Sequence, residues 1–464
     1  MNSLTKKTGI YFVGNMASKF LTALIVPIYA LYVDAESLGN YDLLLTISSI
    51  LSPLAFCAMW EGILKFTLVA SNDQKKSYIS TALRLSIPVA LVVSAAQVVV
   101  CGAVGWEWNL SLALALMVLM SGISTSWQYC TRALGKSHDY VVSGVLGSAI
   151  SFTLIIVFVC LLHGQLFGLI LSYLFGQLFI VLYLEYKINV LSSVVHDEFD
   201  KVIARRLLKY CFPCVFNLLS IHLLTGIGRI AISYNLGASA NGQYAFAMKF
   251  ASLITAAGSI FSMAVIEEGI IREKKGRLGH FFSQLMNSLS SLVVSLAILS
   301  IPAILVFYIF IGDTAYWESF KLIPVLIAYA VFSVLSTVFG STFMSLGRTS
   351  WNMWTTFFGL ILCVPVSVIL VRQIGILGAG MGLALGSFCM MISRAFISMQ
   401  MVGYRIKWGR ILFLSVCYCV VCVSALRILD GCEAPLDLLL LVLLSISTAP
   451  FIYKNARALF CMSD

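Results

Sequence analysis

Five basic residues lie where an apolar sequence should not carry them. Lys19, Lys65, Arg229, Lys249 and Arg394 each interrupt a run of hydrophobic residues. Lysine and arginine hold phosphate, pyrophosphate and carboxylate oxygens, arginine through a planar fork and lysine as a compact charge. Two of the positions extend into polar stripes: Asn15, Ser18, Lys19 and Thr22 share one helical face, as do His222, Thr225, Arg229 and Ser233. Glu61 precedes Lys65 by four residues, a spacing that lets the two pair across one helical turn, and it is also a candidate coupling carboxylate. This is the chemistry of holding an anion rather than of making bonds. Cys211-Phe-Pro-Cys214 has redox or metal spacing but stands without a second pair or a histidine cluster, so it reads as structural. The chain contains no G-x-x-x-x-G-K-[ST] loop, so no ATP, metal or other cofactor is expected; drive falls to an H+ or Na+ gradient, the membrane potential or the substrate gradient.

The elements that carry these residues are membrane-spanning helices. Of 464 residues, 60% are hydrophobic and 11% charged, and mean hydropathy is +0.98. A soluble domain is about a quarter charged, which excludes that class. Runs long enough to span a bilayer fall near residues 8–33, 41–69, 81–104, 110–132, 140–163 and 166–187. A second six fall near 212–235, 243–270, 282–311, 319–345, 351–371 and 376–400, and two more near 410–427 and 436–453. The expected fold is all-α and polytopic, with about fourteen transmembrane helices. The first run is too long for a secretion-signal core and has no small-x-small cleavage site, so it is read as a retained span.

Loop charge sets the orientation. Twenty-two lysines and arginines fall on the side of the N-terminus, against Lys321, Arg372 and Arg427 on the other. Both termini are therefore expected in the cytoplasm, and the net charge of +10 reflects topology and anionic inner-leaflet lipid rather than nucleic acid. In the connection from Lys187 to Pro213, Leu191, Val194, Val195, Phe199, Val202 and Ile203 recur at helical spacing. That connection is either an amphipathic helix on the inner surface or a plain linker.

A charge at the bilayer centre costs on the order of 2.5 to 3.5 kcal/mol even on the lenient insertion scale. Basic residues inside spans therefore face a wet interior or extend to an interface. Lys65 and Arg394 near inner helix ends, and Arg229 and Lys249 about two turns from outer ends, can do either. Lys19 is deepest. Four of the five bases fall on spans one, two, seven and eight.

Those spans also carry an internal repeat. Leu21, Thr22, Ala35, Gly39 and Tyr41 align without a gap with Leu224, Thr225, Ala238, Gly242 and Tyr244, Lys19 meeting His222. Each copy runs through a short polar turn with glycine. Downstream, Leu134-Gly135-Lys136-Ser137 matches Leu346-Gly347-Arg348-Thr349, and Gly168 and Gly176 match Gly378 and Gly386. The offsets of 203, 212 and 210 are collinear. Duplication of an even-numbered unit keeps its orientation, so two six-helix lobes are expected about a pseudo-two-fold axis along the membrane normal, with the substrate route between them. The boundaries are 1–187 for the first lobe, 188–212 for a cytoplasmic linker, 213–400 for the second lobe and 401–464 for two additional spans. Pro27 in span one and Gly226-Ile227-Gly228 in span seven are where bending is expected.

This pattern resembles the multidrug/oligosaccharidyl-lipid/polysaccharide exporter superfamily. The resemblance rests on bases concentrated on spans one, two, seven and eight, a six-plus-six duplication, Leu38-Gly39-Asn40-Tyr41 at the start of span two, and two appended spans. It covers essentially the first 400 residues and is strongest to the polysaccharide branch, the Wzx-type O-antigen flippases. The resemblance implies a V-shaped transporter of the bacterial inner membrane that is not an enzyme. By alternating access it would move undecaprenyl-pyrophosphate-linked oligosaccharide to the periplasmic leaflet, alongside other polysaccharide-assembly proteins. It further implies that Lys19, Lys65, Arg229 and Lys249 hold the pyrophosphate or acidic sugars, with Asn15, Ser18, Thr22, Glu61, His222 and Thr225 lining the cavity. The alternatives are a multidrug cation extruder, which would want acids where this chain has bases, and a polymerase or ligase of polysaccharide assembly, which would want a large outer loop. A major-facilitator transporter would carry G-x-x-x-D-R, which the loop Ser71 to Ser77 lacks.

Overall fold

The computed structural model describes residues 20–461, except 22, 69, 197–198, 274–277, 313, 347, 349 and 431–434. Within them the chain is helical, with no strand. The elements are α1 (Ala23–Tyr32), α2 (Ala35–Ala55), α3 (Met59–Thr67), α4 (Asn72–Ala103), α5 (Trp108–Ala133) and α6 (Ser137–Ile155), which continues as a π-helical turn over Ile156–Leu161. Then come α7 (Gln165–Ile188), α8 (Val190–His196), α9 (Lys201–Leu236), α10 (Ala238–Glu273), α11 (Leu278–Ile311), a 3-10 turn (Trp317–Leu322), α12 (Ile323–Ser345), α13 (Ser350–Ile374), α14 (Ile376–Val402), α15 (Trp408–Leu429) and α16 (Pro435–Cys461).

Among the described residues eleven helices are long and apolar enough to cross a membrane, and the bent pair α2–α3 makes a twelfth. Of the two other expected spans, 8–33 is described only from residue 20, and 243–270 lies within the 36-residue α10, whose side chains are described only as far as Ala256.

The chain divides into two compact units, Met1–Gly226 and Ile227–Asp464. In the first, α5 is the central helix, packing on α2, α3, α4, α6 and α7. In the second, α12 is central, packing on α10, α11, α13 and α14, while α15 and α16 pack on α11. The division falls inside α9, which runs unbroken from Lys201, so its first turns occupy the end of the stretch read as a linker.

Close helix approach uses equivalent glycines in the two units. A Cβ on Gly176 of α7 would lie 3.1 Å from the Gly147 carbonyl of α6, and one on Gly386 of α14 would lie 2.8 Å from the Gly359 carbonyl of α13. Without a solvent-driven hydrophobic force between helices, such small-residue contacts let backbones approach and gain dispersion contacts.

The structure corrects the sequence reading in three places. The repeated hairpins turn at Val33–Asp34, where Asp34 caps α2 by accepting from the Ser37 amide at 2.7 Å, and at Gly237, with φ of +87°. Gly39 and Gly242 lie within the first turns of α2 and α10 and are buried there. Span two is not one straight helix either. It breaks by 55° between α2 and α3, while Pro27 lies inside α1 and Gly226–Gly228 inside α9. At that break Cys57 and Ala58 adopt φ of 50° and 47°, left-handed conformations that cost L-residues about 1 to 2 kcal/mol each. Third, the connection after α7 is not one amphipathic helix. The short α8 is tied down by Glu185, which accepts from the Val190 and Leu191 amides at 3.1 and 3.0 Å, and by Arg84, which donates to the Val194 carbonyl at 2.9 and 2.6 Å.

Candidate functional site

Bending span two turns α3 so that Glu61, in its first turn, faces a cavity within the first unit. The cavity measures about 360 Å³ and is lined by Ser48, Ser49 and Ser52 of α2, Ser121, Thr125 and Tyr129 of α5, Tyr173 of α7 and His222 of α9. Hydroxyl side chains supply seven of its thirteen lining residues, beside Glu61 and His222, and Leu45, Pro53, Trp60 and Leu218 complete the wall. Ser52 and Ser121 share a hydrogen bond at 2.5 Å, and the Tyr129 phenol donates to the Glu61 carboxylate at 3.2 Å. Arg132, one turn along α5, lies within electrostatic reach of Glu61 and sits 5.3 Å from the ring centroids of both Tyr129 and Tyr140. A half-buried carboxylate among hydroxyls, with one phenol donor and one imidazole nearby, can exchange a proton or hold a cation. Glu61 and His222, both flagged by sequence, are thus brought together.

The pairing of Glu61 with Lys65 does not form. Lys65 ends α3 and places Nζ 3.9 Å from the Tyr210 ring centroid and 5.8 Å from that of Phe66. Both lie on α3, yet their side chains take different partners: Glu61 turns to Tyr129 of α5, and Lys65 to Tyr210 of α9. Thr225 donates its hydroxyl to the carbonyls of Ile221 and His222 on its own helix, at 3.2 and 3.3 Å, and does not line this cavity. Arg229 and Lys249 belong to the second unit, both half-buried, Arg229 within electrostatic reach of Tyr329. Asn15, Ser18, Lys19 and Thr22 lie outside the described residues.

Arg394 does not extend outward but is enclosed by neighbouring helices. It is 9% exposed and packs between α12 and α13, where Nε donates to Thr355 Oγ1 at 3.0 Å and one terminal nitrogen to the Ser336 carbonyl at 3.1 Å. The other terminal nitrogen donates to Thr356 Oγ1 and the Asn352 carbonyl at 2.9 and 3.3 Å. A Cβ on Gly340 would approach the guanidinium to 3.0 Å, so the glycine makes room for it.

The cysteine pair is structural. Cys211 is buried against α3, where a Cβ on Gly62 would lie 2.7 Å from its sulfur. Among the described residues no group of His, Cys, Asp and Glu could hold a metal ion.

The profile of the family described as "Polysaccharide biosynthesis protein" matches residues 4–266, more than half of the sequence and all of the helices that build this cavity. The chain belongs to that family. Structures similar to this family member are transporters. The lipid II flippase MurJ in an inward closed conformation matches with a TM-score of 0.71 and 13% identity, covering 96% of this chain and 99% of that one. An inward-facing multidrug resistance MATE family transporter of the MOP superfamily matches with a TM-score of 0.66 and 14% identity, covering 85% and 98%. A MOP superfamily transporter from Pyrococcus furiosus, described by the reverse polarity of its binding pocket, matches with a TM-score of 0.55 and 17% identity, covering 86% and 95%. No curated protein matches the sequence at a significant level. The fold of this polysaccharide biosynthesis protein is thus that of MOP-superfamily flippases and transporters, and it is a multi-pass membrane protein.

The sequence reading missed the hydroxyl lining of the cavity. Its signal was present, since Ser121, Thr125 and Tyr129 are spaced by four on one helical face, as are Ser48 and Ser52. Hydroxyls in spans attract less notice than charges because they can bond back to their own helix, as Thr125 does to the Ser121 carbonyl at 2.7 Å.

Proposed function

We propose that the protein is a flippase that moves undecaprenyl-pyrophosphate-linked oligosaccharide, an O-antigen repeat unit or a similar glycan, from the cytoplasmic to the periplasmic leaflet of a bacterial inner membrane. The family match over residues 4–266 carries this reading, because it ties the fold to polysaccharide assembly. The excess of bases over acids in the spans supports it, since a pyrophosphate or an acidic sugar needs cationic partners. Lys19, Lys65, Arg229 and Lys249 are the residues we assign to the anionic headgroup, and we assign both termini to the cytoplasm from the loop charges. Glu61, released from Lys65 and set in the hydroxyl-lined cavity with Tyr129 and His222, is the carboxylate we assign to coupling with H+ or Na+. Anionic membrane lipids and other polysaccharide-assembly proteins are the remaining partners.

The same carboxylate favours a second reading, extrusion of an organic cation. Reconstitution separates the two. In proteoliposomes loaded with a lipid-linked oligosaccharide, Lys19→Ala and Arg229→Ala should each abolish flipping while the protein still inserts. Full activity in both variants would sink the assignment of the cationic residues.

A further inference from the structure

A second group of bases lies in the first unit, at the end opposite the α1–α2 turn. The Arg206 guanidinium, in the second turn of α9, sits 5.2 Å from the ring centroid of Phe66, the same ring that carries Lys65 at 5.8 Å. Both charges are exposed. The frame beneath them is fixed: Tyr78 stacks on Phe66 at 5.8 Å and 10°, and Tyr210 meets it edge-on at 5.5 Å and 78°. Each base also touches a second member of the frame. Lys65 lies over Tyr210 at 3.9 Å, and Arg206 donates to the Tyr78 hydroxyl at 3.2 Å.

Among the described residues neither base forms an ion pair, whereas Lys321 pairs with Glu318 at 2.8 Å and Arg427 with Asp437 at 3.5 Å. Aromatic faces orient a cation without neutralising it. Four of the five guanidinium N–H groups of Arg206 and the ammonium of Lys65 are therefore left for a ligand. Two positive charges on one ring suit a ligand with two phosphoryl groups. Deeper along α9, Phe212 and Phe216 are exposed and paired edge to face at 5.1 Å, so an apolar tail attached to such a headgroup meets apolar rings.

We propose that Lys65 and Arg206, framed by Phe66, Tyr78 and Tyr210, form a docking site for the pyrophosphate headgroup of a polyprenyl lipid as it leaves the membrane surface. This rests on the flippase reading and adds Arg206 and the aromatic frame to it. The test is binding of radiolabelled farnesyl pyrophosphate to the full chain in phosphatidylcholine nanodiscs. Arg206→Gln and Lys65→Gln should each weaken binding about tenfold, the loss of one charge-assisted contact. Tyr78→Phe, which frees Arg206 without removing its charge, should weaken it about threefold, and Arg206→Lys should stay within about threefold of wild type. Lys187→Gln should change nothing, because Lys187 lies over Tyr183 and Tyr186 and shares neither ring with a second base.

Wild-type binding by Arg206→Gln would overturn the proposal, and so would an equal loss in Lys187→Gln, which would mark the binding as diffuse surface attraction. Competition by phosphatidylglycerol as strong as by farnesyl pyrophosphate would assign the site to bulk anionic lipid and overturn its role toward substrate. Wild-type vesicles that bind farnesyl pyrophosphate yet flip no lipid-linked glycan would overturn the flippase reading alone.

Discussion

Arg394 in the second unit and Lys65 in the first are both basic residues on membrane-spanning helices, and their surroundings differ in kind. Arg394 gives its guanidinium to two hydroxyls and two backbone carbonyls and is closed off from outside. Lys65 lies over the aromatic faces of Phe66 and Tyr210 and keeps its ammonium exposed. A charge in a low-dielectric surrounding persists only if its donors are satisfied. Neutral acceptors from α12 and α13 occupy four of the five Arg394 N–H groups, so the residue, carried on α14, holds these three helices together. Aromatic rings position Lys65 and leave its N–H groups available. On the proposed function, what separates a structural base from a ligand-binding one is what occupies its donors rather than its depth along a helix.

Removing each base should separate the two roles. Arg394→Ala, which loses four hydrogen bonds and leaves a hole between three helices, should destabilise the protein by roughly 3 kcal/mol. That should appear as a lower thermal midpoint and insertion yield, with transport per folded molecule kept. If Arg394→Ala were as stable as wild type but inactive, the comparison would break. Gly62→Ala acts on the other side, at the seam between α3 and α9 that sets Lys65 over Tyr210. Its Cβ would lie 2.7 Å from Cys211 Sγ and 2.8 Å from Leu207 Cδ2. A cost of about 1 to 3 kcal/mol is expected from overpacking, with reduced transport in the surviving molecules; unchanged unfolding and transport would show that the seam does not position Lys65. The smallest effect belongs to the bend. Cys57→Gly should raise stability by about 1 kcal/mol by removing left-handed strain, and a lower midpoint would contradict the strain.

Much of this arrangement could be read before the fold was known, and the failures share a cause. Apolar run lengths gave the helices, and charge against burial gave Lys65, Glu61, Arg229 and Lys249 as residues that need an explanation. The bend in span two had no such signal: Phe56, Cys57 and Ala58 carry no glycine, and only Pro53 stands nearby. The left-handed turn there is imposed by packing, with Phe56 and Ala58 fully enclosed. The four-residue spacing of Glu61 and Lys65 on α3 suggests a pair, but tertiary partners that no spacing rule reveals take both side chains: Tyr129 of α5 donates to Glu61, and Tyr210 of α9 lies under Lys65. The sequence misplaces Arg394 for the same reason. Its acceptors Thr355, Thr356 and the Ser336 carbonyl are distant in sequence, and no spacing rule connects them to it.

The central claim is that the basic residues select an anionic, lipid-linked glycan. The direct measurement is transport by wild-type proteoliposomes offered either a polyprenyl-pyrophosphate oligosaccharide or an organic cation, repeated with Arg229→Glu. The account predicts that the glycan crosses, the cation does not, and the charge reversal stops glycan movement. Cation extrusion with no glycan movement would contradict it.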